Sequence, residues 1–116
     1  MPEIVSKYQP LQHYQWGDAC DGWNLVDEPG LSVKQERMPA GTAEALHYHE
    51  KAQQFFYILQ GTARFTIEAE TVELHAGQGI RIEPGQGHKI SNAAAEPLEF
   101  ILCSQPSTRN DRINCT

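Results

Sequence analysis

The residues of this chain best equipped for chemistry are two histidines one position apart, His47 and His49, in the run ALHYHEKAQQ. On an extended strand, residues i and i+2 point to the same face. Two imidazoles on one face can bind a single metal ion together. Two surface histidines would give the same short pattern, so the weight comes from residues downstream at fixed distances. Gln54 lies five residues after His49, Gly61 seven residues after Gln54, and His88 stands in a second Gly-rich block.

Composition narrows the classes of function. The 116 residues suffice for one domain with an ordinary core. No apolar run reaches the length of a membrane span. The start, MPEIVSKYQPLQHYQW, lacks the apolar centre of a signal peptide, so the expected location is cytoplasmic. Cys20, Cys103 and Cys115 are odd in number and show no CxxC spacing; they read as free thiols of a reducing compartment rather than as a disulfide framework or metal ligands. The net charge is −6 and the nine basic residues are scattered, which argues against nucleic acid and against anionic membrane surfaces as partners.

The elements that must position the histidines are strands. No segment carries a long helical period. Short β-rich runs, GWNLVD, LSVKQERM, ALHYH, QFFYILQ, ARFTIE, TVELH, GIRIE, HKISN and PLEFILC, alternate with Gly and Pro turns. That pattern predicts an all-β sandwich or barrel. ARFTIE and TVELH read as a hairpin, and Gly61, Gly77 and Gly85 as turn residues with positive φ. Asn92 reads as a side chain that ties a turn or strand end by hydrogen bonds. If Gln54 faces inward, so do Phe56 and Ile58, while Phe55 and Tyr57 face the other side. In FILC the pattern leaves two registers open, with either Phe100 and Leu102 or Ile101 and Cys103 inward.

The two blocks together resemble the cupin superfamily. Its first motif places Gly, His-x-His, Glu and Gly where this chain has Gly41, His47, His49, Gln54 and Gly61. Its second places Gly, Pro-x-Gly, His and Asn where this chain has Gly77, Glu83, Gly85, His88 and Asn92, with proline displaced to Pro84. The resemblance covers roughly residues 22 to 104. It implies a double-stranded β-helix, a jelly-roll barrel of six to eight strands, with 1–21 as an N-terminal segment, 22–104 as the barrel and 105–116 as a tail. It also implies one divalent transition metal (Fe, Ni, Mn, Co, Cu or Zn) held by His47, His49, His88 and Gln54. Phe56 and Ile58, on the Gln54 face, and Ile90, on the His88 face, are expected to line the pocket.

Gln54 departs from the motif. An amide oxygen in place of a carboxylate leaves the site one charge more positive and binds a hard ion more weakly. Gln54 either ligates through its oxygen, or holds a metal-bound water, or marks a metal-free pocket. His75 reads as a solvated residue and His13 as a packing residue.

The function these residues imply is small-molecule chemistry at a metal. A dioxygenase acting on a bidentate enol or catechol-like substrate comes first. An isomerase or epimerase of a sugar or keto acid comes second and needs a base, for which Glu36, Glu44, Glu50 and Glu83 are the nearby carboxylates. A non-catalytic module binding a small ligand is the competing class, and no helix-turn-helix pattern points to a regulator. The N-terminal residues Tyr8, Leu11, Tyr14 and Trp16 are expected to pack on the barrel or on a second copy, which predicts a homodimer.

Overall fold

The computed structural model describes residues 2–115. Among them are eleven strands and no helix: Gln12–Trp16 (β1), Cys20–Glu28 (β2), Leu31–Met38 (β3), His47–Tyr48 (β4), Gln53–Gln60 (β5), Thr62–Ile67 (β6), Glu70–His75 (β7), Gly79–Ile82 (β8), His88–Ser91 (β9), Leu98–Gln105 (β10) and Ile113–Asn114 (β11). They pair into two sheets, β1-β2-β3-β10-β5-β8 and β11-β4-β9-β6-β7, with antiparallel registers throughout. The fold is the expected all-β double-stranded β-helix.

Period-two alternation builds the core. Along β5, Gln54, Phe56 and Ile58 are buried and Phe55, Tyr57 and Leu59 are exposed. On β10 the inward residues are Leu98, Phe100 and Ser104, which settles the FILC register for Phe100 and Leu102 and turns Cys103 outward. Met38, Phe56, Ile58, Phe65, Ile90 and Phe100 close the space between the sheets. Each such side chain contributes about 1.5–3 kcal/mol on burial.

Ile58 and Ile90, expected in the pocket, belong to this core instead. Two residues along a strand is a step of about 6.6 Å. Ile90 lies one such step beyond His88 and Ile58 two steps beyond Gln54, deep enough for Phe65 and Phe100 to pack around them.

The strands also exceed six to eight: nine, β2 to β10, lie essentially within residues 22–104, and each flank adds one more. β1 extends the larger sheet beside β2, and β11 extends the smaller one beside β4. The β6–β7 hairpin is present as expected, with Ile67 opposite Glu70. Gly61 has φ 86°, and a Cβ there would stand 2.5 Å from the Pro97 carbonyl oxygen, so only glycine fits this turn. Asn92 is the expected tie: its amide donates to the Met38 and Glu96 carbonyls and accepts from the Ala94 N–H.

Candidate metal centre

β4 and β9 place His47 directly opposite His88 across a strand pair. His49 comes immediately after β4. Gln54 arrives from the other sheet, on β5, so the two sheets meet at this point. All four side chains are buried.

The three rings share one device. Each Nδ1–H donates to a main-chain carbonyl: His47 to Ala45 (2.8 Å), His49 to Asp111 (2.5 Å) and His88 to Gln86 (2.9 Å). This fixes the tautomer and leaves a lone pair on every Nε2, the form in which imidazole binds metals. Burial lowers the pKa of all three, His47 to about 4, so the rings are neutral at pH 7.

The free donor atoms converge. The three histidines each offer a ligand atom within 4.8 Å of the others. The buried Nε2 of His49 has no hydrogen-bond partner among the described residues. The Nε2 of His88 faces the Gln54 Oε1 at 3.0 Å, while the Gln54 amide nitrogen donates to the Ser104 hydroxyl at 3.1 Å. Two lone-pair atoms at that separation repel unless a cation lies between them. Neighbouring ligands on an ion with bonds of 2.0–2.1 Å stand about 3.0–3.4 Å apart. The donor set therefore fits a first-row divalent ion, with Gln54 oriented to ligate through its oxygen.

The centre opens into a cavity of about 280 Å³. Tyr14, Trp16, Lys34, Glu36, Glu44, His47, His49, Gln54, Phe56, Leu102, Thr108 and Arg112 line it. Of the four carboxylates near the histidines, Glu36 and Glu44 face this space and Glu50 and Glu83 are exposed. Tyr14 donates its hydroxyl to Glu36. Burial, then the charge and hydrogen bond of Glu36, push the Tyr14 phenol far above its ordinary range, and burial pushes Glu36 up as well. Glu44 is raised to about 8, by burial first and by the Glu36 charge second.

Part of the site comes from the segment after β10. The Asp111 carboxylate accepts the N–H groups of Glu50, Lys51 and Ala52 at 2.8, 3.1 and 3.1 Å, while its own carbonyl holds His49. Cys115 N–H donates to the Leu46 carbonyl. The residues missed in the sequence are thus Tyr14, Lys34, Ser104, Thr108, Asp111 and Arg112. A signal for Lys34 existed. On β3 the buried ends Ser32 and Met38 share parity with Lys34 and Glu36, so two charged residues occupy the inward face of a strand. His75 is exposed, and His13 stacks on Trp23 and bonds Asp21.

The family model for the cupin domain matches residues 34–104. This chain belongs to the cupin family. An uncharacterised protein of Methanocaldococcus jannaschii is 35% identical over 83 residues, covering 72% of this chain and 66% of that protein. An oxalate-binding protein of Thermotoga maritima is 32% identical over 65 residues, covering 56% of this chain and 54% of that one. The chain thus spans between half and two thirds of these relatives. An RmlC-like cupin from Shewanella frigidimarina superposes with a TM-score of 0.82 over 95% of this chain and 96% of that one, at 15% identity, a likeness of fold.

Proposed function

We propose that this cupin is a metalloenzyme that isomerises a small carbonyl compound by proton transfer. The observation that carries the reading is the placement of the Tyr14–Glu36 pair in the same cavity as the three histidines and Gln54. His47, His49, His88 and Gln54 would hold a divalent transition metal, which would supply Lewis acidity when bound. The protein supplies the rest. Glu36, half-buried and with its proton affinity raised by burial, takes a proton from the hydroxyl-bearing carbon beside the carbonyl and returns it to the former carbonyl carbon, while the hydroxyl proton passes to the former carbonyl oxygen. The Tyr14 hydroxyl orients the carboxylate through its hydrogen bond. Phe56, Leu102 and Trp16 shape the apolar part of the space.

Oxygenation, which the resemblance placed first, is the second reading. It is favoured by the neutral donor set, three imidazoles and an amide, with no carboxylate ligand at the Gln54 position.

Incubation of cobalt- or nickel-loaded protein with small aldoses, ketoses and keto acids in D₂O decides between them. The expected result is deuterium entering the carbon next to the carbonyl, abolished in both Glu36→Gln and His88→Ala. Metal-dependent oxygen uptake without exchange would establish the second reading. Binding with neither exchange nor uptake would make the chain a ligand-binding module.

A further inference from the structure

The cavity beside the histidines carries charge that the metal reading leaves unused. Lys34, from β3, and Arg112, from the residue before β11, both line the cavity. Among the described residues neither makes an ion pair. Lys34 Nζ stands 5.5 Å from the Tyr14 ring centroid, and the Arg112 Nε donates to Asn114 at 3.1 Å. Arg112 lines the same cavity as Glu36, Glu44, His47 and His49, and it directly precedes β11, the strand beside His47.

The balance of charge is then decisive. The donor set is neutral, because an imidazole binds a metal in its neutral form and Gln54 is an amide where the motif has a carboxylate. A divalent ion keeps its full charge there. Lys34 and Arg112 add two positive charges and Glu36 and Glu44 remove at most two. The cavity is cationic whether those carboxyls are ionised or protonated, and a partly enclosed space of this size magnifies the effect. A neutral sugar leaves that charge unanswered.

We propose that Lys34 and Arg112 form an anion-recognising subsite, and that the ligand is a small organic acid with a hydroxyl or keto oxygen beside or near its carboxylate. The inference rests on the metal reading for where the chelating oxygens sit; the two cations select the charge. Arg112 offers the planar fork that suits a carboxylate, and Lys34 a point charge.

The test compares glycolate, lactate and malate with their neutral amides, glycolamide, lactamide and malamide, by calorimetry on the full chain, nickel-loaded and metal-free. The acids are expected to bind the loaded protein at least about tenfold more tightly than the amides. Lys34→Gln and Arg112→Gln should each weaken the acids by about tenfold, leave the amides and the nickel stoichiometry unchanged, and flatten the salt dependence. Lys34→Arg and Arg112→Lys should restore most of the loss. Equal affinity of acids and amides, or acid affinity unmoved in both Gln variants, overturns the subsite. If no nickel binds, the metal reading fails by itself. The subsite then stands or falls on the metal-free titration, where acid binding that Lys34→Gln and Arg112→Gln remove supports it and no acid binding overturns it.

Discussion

The lining of the cavity divides by chemistry into two parts of opposite design, a histidine wall and a charged wall. The histidine wall is electrically neutral and is set by short-range main-chain contacts: two of its three rings hydrogen-bond a carbonyl only two residues away. The charged wall is assembled from β1 and β3 of the larger sheet and from the segment 108–112, which runs into β11 beside β4, parts of the chain far apart in sequence. The difference separates two tasks. A metal needs donors of fixed geometry, which local backbone contacts readily supply. A ligand needs matched charge and shape, which only tertiary packing brings together. His49 is the exception that joins the walls, since its anchor is Asp111, 62 residues on.

If the walls divide the work in this way, damage to one should spare the other. The largest effect is expected for His88→Ala, which should abolish stoichiometric metal binding, with His75→Ala as an inert control; elemental analysis after dialysis reads both. Glu36→Gln should do the converse, keeping the metal and losing proton exchange. A variant of the charged wall that loses metal as readily as His88→Ala would break the comparison.

Asp111→Ala should come next, because it strikes the junction. It leaves three N–H groups at Glu50, Lys51 and Ala52 without their acceptor and loosens the loop that carries His49. The expected loss is about 1–3 kcal/mol in a denaturant titration and about 10-fold or more in metal affinity, the range for groups that orient ligands. Asp111→Asn, which keeps one acceptor oxygen, should recover part of both.

Gly22→Ala tests the positioning of the charged wall alone. Tyr14 lies across Gly22 in the β1–β2 pair, and a Cβ there would stand 2.1 Å from the tyrosine ring. The ring must move off Glu36. Exchange should fall while metal affinity stays as it was, a split that measuring both on one preparation would show.

The smallest change is expected at Gln54. Gln54→Glu adds a carboxylate to the neutral wall and should tighten Mn or Fe(II) by about tenfold, on the order of 1 kcal/mol. Weaker ion binding in this variant would place Gln54 outside the ligand sphere, where a new buried charge has no partner.

The two walls also differ in how legible they are. His47, His49, Gln54 and His88 stand in runs whose alternation already assigns their faces, and their spacings repeat a known motif. The strand runs around them fall within a few residues of the observed strands, and the glycines at 61, 77 and 85 have the positive φ that their turns require. The charged wall hides for physical reasons. On β3 the apolar Leu31 and Val33 suggest the wrong inward face; Leu31 is 42% exposed, and the inward side carries Lys34 and Glu36 because they border a cavity rather than a core. Residues 105–116 read as a polar tail with scattered charge. Nothing in their local pattern reveals that β11 pairs with β4, since that pairing spans only two residues and depends on the rest of the barrel. Ile58 and Ile90 have the right face but the wrong depth, which alternation does not encode.

The central claim, that the neutral wall is a metal centre, is tested most directly by elemental analysis of protein purified without a chelating tag, with X-ray absorption then recorded at the edge of the metal found. The account predicts close to one first-row ion per chain, with a first shell of three imidazole nitrogens and additional oxygen donors. Protein that carries no ion and also refuses added Zn, Ni, Fe(II) and Mn in calorimetry would contradict it.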